Sequence, residues 1–185
     1  REQIISLIRK KTHENAEILA NMGVNETGMG NVGDKILKHH LTADKVPGTE
    51  DISTIAWSGD RGLTLVEMGP FGVIGAITPA TNPSETVICN CIGMLAGGNT
   101  VVFNPHPNAK KTTIYTINMI NEASIEAGGP DNIAVTVEAP TLDTSAIMMK
   151  HPSIHLLVAT GGPGVVTAVL SSGKRAIGAG AGNPP

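Results

Sequence analysis

Aromatic residues are nearly missing from this chain: one tryptophan, one tyrosine and two phenylalanines among 185 residues. With a net charge of −3 as well, the chain lacks both the basic field that holds a phosphate backbone and the rings that stack bases, so nucleic acid is excluded as a partner. Long apolar runs are also missing. Glycine and proline interrupt the most apolar region, Gly69 to Ala96, before it reaches the roughly twenty residues a bilayer span needs. Arg1 to Lys11 is a basic amphipathic stretch rather than a leader. A soluble protein with no membrane partner is expected. Cysteine is limited to Cys89 and Cys91, too few for a disulfide framework and too close to close a useful loop, which suits a reducing, cytoplasmic setting. The histidines, among them His39, His40, His106, His151 and His155, are scattered without metal-ligand spacing. Most are expected at the surface, and no metal site is expected.

What is present has the length of one domain. The chain opens on Arg1 and closes on Gly182-Asn183-Pro184-Pro185, which reads as an internal piece of a longer polypeptide. From Glu2 to Met22, apolar residues recur at helical spacing around a polar middle, predicting one long or two short helices. Asp34 to His40 starts another, and Thr42 to Gly62 is turn-rich, a loop or arm. From Leu63 the pattern becomes β-rich runs (63–67, 72–78, 100–103, 133–137, 154–159, 174–177) alternating with helical stretches (84–96, 109–127, 142–150, 164–171). Asn108 is the expected N-cap of the helix from Ala109. Alternation of this kind predicts an α/β fold with a parallel, doubly wound, Rossmann-like sheet and N-terminal helices. Ligands bind such a sheet beyond the carboxyl ends of its strands.

Two glycine-rich segments compete for a phosphate. "GMGNVG", residues 28–33, has the dinucleotide spacing G-x-G-x-x-G, but "NAEILANMGVNETG" before it is helix-like rather than a strand. "LVATGGPGVV" has the required context: a strand ending at Thr160, a turn at Gly161 and Gly162, and a helix entered through Pro163. Asp51 lies in the turn-rich segment and makes a poor ribose ligand. Two further strand ends, "ITPATNP" and "VFNPHP", share the edge with "VATGGPG". Asn82 there is either a donor for a developing oxyanion or a helix cap. Cys89 and Cys91 point about 200° apart on a helix, and Cys91 joins the stripe of Ile88 and Leu95 as a small buried hydrophobe.

Taken together, "ETGMGNVGDKIL", "GPFGVIGAITPATNPSETVICN", "GGNTVVFNPHPNAKKT" and "VATGGPGVVTAVLSSGKRAIGAGAGNPP" closely resemble the CoA-acylating aldehyde dehydrogenases, above all the microcompartment propionaldehyde and acetaldehyde type, over essentially the whole chain. The resemblance implies that Thr160, Gly161, Gly162 and Val165 lie beside a dinucleotide's pyrophosphate. It places Asn104, His106 and Pro107 near the adenine ribose, and Thr78, Pro79 and Ala80 near the nicotinamide ribose. Asn104 stands where hydrolytic relatives usually carry lysine, which bears on the choice between NAD and NADP. Asn82 is the implied oxyanion donor, with Thr81 as the alternative. Ala179, followed by Gly180, falls where those relatives carry the glutamate that activates water, a loss that suits a thioester awaiting CoA.

The implied reaction converts a short-chain aldehyde, propionaldehyde or acetaldehyde, to acyl-CoA. A cysteine thiolate attacks the aldehyde, hydride passes to NAD, and the acyl group moves to the CoA co-substrate. That cysteine belongs downstream of "GAGAGNPP", with a catalytic domain outside this chain. The resemblance further implies residues 1–45 as an N-terminal helical segment, 46–68 as a loop and oligomerisation arm, and 69–185 as the Rossmann-like core of a partial cofactor-binding domain. Its implied partners are copies of itself and microcompartment shell or lumen proteins, and its implied location is the cytoplasm or a microcompartment lumen. Two other functions fit the residues: a non-catalytic nucleotide-binding or assembly fragment, and an acyl-phosphate reductase like the glutamyl-phosphate type.

Overall fold

The computed structural model describes residues 1–180; Ala181 and the closing Gly182-Asn183-Pro184-Pro185 lie outside the described residues. Three helices come first, α1 (Glu2–Glu14), α2 (Ala16–Thr27) and α3 (Val32–Lys45). The helical stretch predicted from Glu2 is therefore two helices, and the second runs on to Thr27. Gly28 ends α2 in the left-handed conformation, with φ 68° and its N–H on the Val24 carbonyl at 2.8 Å. Asn31 then starts α3 by accepting the Asp34 N–H at 2.9 Å. "GMGNVG" is thus a C-cap followed by an N-cap, a connection between two helices.

A hairpin follows, β1 (Ile55–Gly59) and β2 (Gly62–Val66), antiparallel and exposed at every position. The β-rich run at 63–67 therefore belongs to a separate two-stranded ribbon within the segment 46–68, outside the parallel sheet. It pairs with a strand the turn-rich reading had missed.

The main sheet contains β3 (Val73–Thr78), β4 (Thr100–Pro105), β5 (Ala134–Thr136), β6 (Ile154–Gly161) and β7 (Arg175–Gly180), in the order β5-β4-β3-β6-β7 and parallel throughout. The crossovers are α4 (Pro83–Ala96), α5 (Lys110–Glu126), α6 (Leu142–Lys150) and α7 (Pro163–Leu170). Side chains alternate between the faces along each strand. Ala76, Val101 and Phe103 turn toward α4, α5 and the N-terminal helices, where Ile8, Leu19, Val87, Ile88, Ile92 and Ile120 complete a fully buried core. Ile77, Leu157 and Ala159 turn the other way, into a smaller cluster with Met148 of α6 and Val169 of α7.

Two details depart from the sequence reading. Asn108 does not cap α5: its own N–H goes to the His106 ring. The free N–H groups of Lys111 and Thr112 go instead to the carboxylate of Glu26, at 2.8 and 2.7 Å, across from α2. His39 is fully buried rather than at the surface. Among the described residues no helix is long and apolar enough to cross a membrane.

Candidate functional site

β3 is the first strand of the sheet in the chain, and its successors go to opposite sides: β4 to one, β6 to the other. That reversal opens a crevice at the carboxyl ends of β3 and β6. A cavity of about 570 Å³ occupies it. Thr78, Pro79, Ala80 and Thr81 form the wall after β3, and Asn104, His106 and Pro107 the wall after β4. Thr160, Gly161, Gly162 and Val165 come from the β6–α7 turn, and Ala179 and Gly180 from the end of β7. The structure therefore brings together every residue singled out from the sequence except Asn82. That residue is the N-cap of α4, but its side chain makes no capping bond. Its Oδ1 accepts from Lys38 Nζ at 3.2 Å instead, which leaves the amide N–H₂ as the end available to donate.

The fourth wall escaped the sequence reading. Pro140, Thr141, Leu142 and Ser145, from the loop after β5 and the first turn of α6, close the cavity opposite the β6–α7 turn. The signal was present in Thr141-x-x-Thr144, a capping box in which Thr141 accepts the Thr144 N–H at 3.1 Å and the Thr144 hydroxyl accepts the Thr141 N–H at 2.8 Å. It follows another strand end on the same edge. Asn104 is tied to this wall: its amide donates to the Ser145 hydroxyl, and its Oδ1 lies 3.0 Å from the Thr144 hydroxyl. At 2% exposure, its polar atoms brace β4 against α6.

The N-termini of the four crossover helices differ in a way that matters for an anion. α5 holds Glu26, α6 has its capping box and Asp143, and α4 carries Glu85 in its first turn. α7 has neither a side-chain cap nor an acidic residue there, and it opens on the cavity. A helix N-terminus of this kind favours negative charge. The glycines before it are not required by the backbone: Gly162 has φ −68°, and a Cβ built on Gly161 or Gly162 meets no atom within 4 Å. Both glycines line the cavity. The buried Thr78 Oγ1, at the end of β3, has no hydrogen-bond partner among the described residues, and such groups are rarely left so without a ligand or water. These features fit a dinucleotide, with diphosphate on the α7 turn and a hydroxyl-bearing sugar near Thr78.

Nucleophiles within the described residues are poorly placed. Burial pushes both the Cys89 and Cys91 thiols up, and neither lines the cavity. Ser84 Oγ lies 2.8 Å from His39 Nε2, the geometry of an activated hydroxyl, but both residues are buried away from the cavity. Burial also lowers the His39 pKa, against the opposing influence of Glu85 and the Lys35 carbonyl. The ring donates Nδ1–H to that carbonyl, at 2.6 Å, and the Ser84 hydroxyl beside its Nε2 donates to Glu85 Oε2 at 3.2 Å. Among the described residues no group of three or more His, Cys, Asp or Glu could hold a metal ion.

Comparison with known proteins shows the family. Residues 1–179 match the model of the aldehyde dehydrogenase family. A propanal dehydrogenase (CoA-propanoylating) of Salmonella typhimurium is 49% identical over 185 residues, all of this chain and 40% of that protein. Among solved structures, a propionaldehyde dehydrogenase from the Clostridium phytofermentans fucose utilisation bacterial microcompartment is 76% identical with a TM-score of 0.97, covering 100% of this chain and 42% of that one. An engineered glycolyl-CoA reductase with bound NADP+ is 53% identical with a TM-score of 0.95, again over 100% of this chain and 42% of that one. The chain thus spans about two fifths of the length of these relatives.

Proposed function

The chain belongs to the aldehyde dehydrogenase family, and on that premise we propose that it is the dinucleotide-binding part of an enzyme that oxidises a short-chain aldehyde such as propionaldehyde to acyl-CoA. The observation that carries this reading is the β6–α7 turn, where glycines that the backbone does not need face a cavity beside an uncapped helix N-terminus. The α7 N-terminus and Gly162 hold the diphosphate, Thr78 donates to or accepts from a ribose hydroxyl, and Asn104 keeps the β4 wall braced on α6. Among the described residues no lysine or arginine lines the cavity, which supports NAD as the proposed acceptor. When bound, the nicotinamide would accept hydride from the aldehyde carbon.

Asn82 fits the role of oxyanion donor, because Lys38 holds its carbonyl end and leaves the N–H₂ free. The attacking thiolate is neither Cys89 nor Cys91 and comes from outside these 185 residues. Ala179 in the cavity wall presents a methyl group that cannot deprotonate water, so an acyl thioester survives until the CoA thiol displaces it. The exposed apolar hairpin, with Trp57, Leu63 and Leu65 open to solvent, suits self-association into a homo-oligomer. By likeness to the microcompartment relative, the lumen of such a compartment is the proposed location.

The test is made on the full-length polypeptide that carries this chain, supplied with propionaldehyde, NAD+ and CoA. One NADH and one propionyl-CoA per turnover are expected. Free propionate without the CoA ester, or no turnover at all, would overturn the proposal.

A further inference from the structure

In the glycine-rich segment 28–33, which joins two helices, Gly30 lies beside the Lys35 side chain. A Cβ built on Gly30 would stand 3.4 Å from Lys35 Cε, and one on Gly23 would stand 3.7 Å from Lys35 Cδ. The Lys35 stem thus passes both glycines at ordinary contact distance. Its ammonium, 3% exposed as a residue, donates to the Thr81 carbonyl at 3.0 Å and to Glu85 Oε1 at 3.3 Å. Thr81 lines the cavity and Glu85 sits in the first turn of α4. One turn further along α3, His39 ties the Lys35 carbonyl to the Ser84 hydroxyl, and that hydroxyl lies 3.2 Å from the second Glu85 oxygen. Lys38, on the same helix, holds Asn82.

We infer that Lys35 is a positioning residue: through the Thr81 carbonyl it fixes the peptide plane between Thr81 and Asn82 at the rim of the cavity. The inference rests on the reading of the cavity as a dinucleotide site. Charge burial alone gives little net stability, and a well-packed apolar pair in place of a buried ion pair is commonly as stable or more so. What the apolar pair cannot do is hold a carbonyl. The peptide is planar and trans, so a grip on the Thr81 oxygen also sets the direction of the Asn82 N–H and the origin of the Asn82 side chain. Lys38 then holds the far end of that side chain, and α3 controls both ends of the segment that closes the β3 wall.

The experiment uses the double variant Lys35→Met/Glu85→Met of the full chain, which removes both charges together. Three quantities are read: Tm, the amide shifts of Thr81 and Asn82 by NMR, and the Kd for NAD+. A positioning role predicts a Tm at or above wild type, displaced Thr81 and Asn82 amides, and a Kd about tenfold weaker, the loss expected of one charge-assisted contact. A merely structural role would move Tm and leave the other two. If the amides and the Kd stay at their wild-type values, the inference is overturned. Should the double variant not fold, Lys35→Arg, which keeps the charge opposite Glu85, is read in the same way, with amide displacement again required. If the wild-type chain binds no NAD+, the nucleotide reading fails by itself, and the amide shifts still decide whether Lys35 orders the rim.

Discussion

In the connection between α2 and α3, Gly28 and Gly30 hold φ values of 68° and 76°, a region where an L side chain is strained. In the connection between β6 and α7, Gly162 holds φ −68°, and neither it nor Gly161 would bring a Cβ against any neighbour. The first turn needs glycine for the fold. The second shows no such need, since a Cβ there meets no neighbour among the described residues, which fits the proposal that its glycines make room for a ligand. The motif that looks most like a phosphate loop therefore serves the backbone, and the β6–α7 turn is the one that fits the proposed ligand.

The sharpest way to break this contrast is to put side chains on both turns. Gly161→Val/Gly162→Val should weaken NAD+ binding by about a hundredfold or more, measured by calorimetry, with Tm essentially unchanged. A comparable loss of Tm would mean that the second turn also serves the fold. Gly30→Ala should do the reverse, costing about 1–2 kcal/mol of stability and lowering Tm by about 3–6 °C, with the NAD+ Kd altered less than about threefold. The smallest effect belongs to the buried cluster behind the first turn. Desolvation lowers the His39 pKa in the folded chain, with Glu85, Lys35 and His40 around it, so below about pH 6.5 the unfolded chain binds the extra proton. Stability is then fully present above that pH and falls as the pH drops, by at most about 1.4 kcal/mol per unit. Urea midpoints measured between about pH 7 and pH 5 should show this slope, and His39→Gln should flatten it.

The parallel sheet was legible because its strands are apolar on both faces and its crossover helices end in Gly-Gly or Pro signals such as Gly128-Gly129-Pro130. The hairpin was not. Its strands are exposed at every position, so no burial pattern marks Ile55–Gly59, and Gly62–Val66 looks like any other short β run until its partner is known. Capping was misread at Asn108 because the group that caps α5 is Glu26, 85 residues earlier at Lys111, and no local window contains it. Three walls of the cavity followed from the rule that strand ends carry ligands. The fourth followed from the same rule but was passed over, because Thr141 and Ser145 carry no chemistry that stands out alone. Asn82 shows the limit of a motif: its position at the head of α4 could be read, whereas the direction of its side chain depends on Lys38, 44 residues away.

The hairpin has one more consequence. Trp57 is the chain's only tryptophan, and it sits on β1 with 57% of its surface open to solvent. Its emission is therefore already that of a wet indole in the folded chain, and melting the sheet will barely shift it. A blue shift on raising the protein concentration would instead report a second surface closing over the ribbon, which makes the residue an optical gauge of assembly, insensitive to the core.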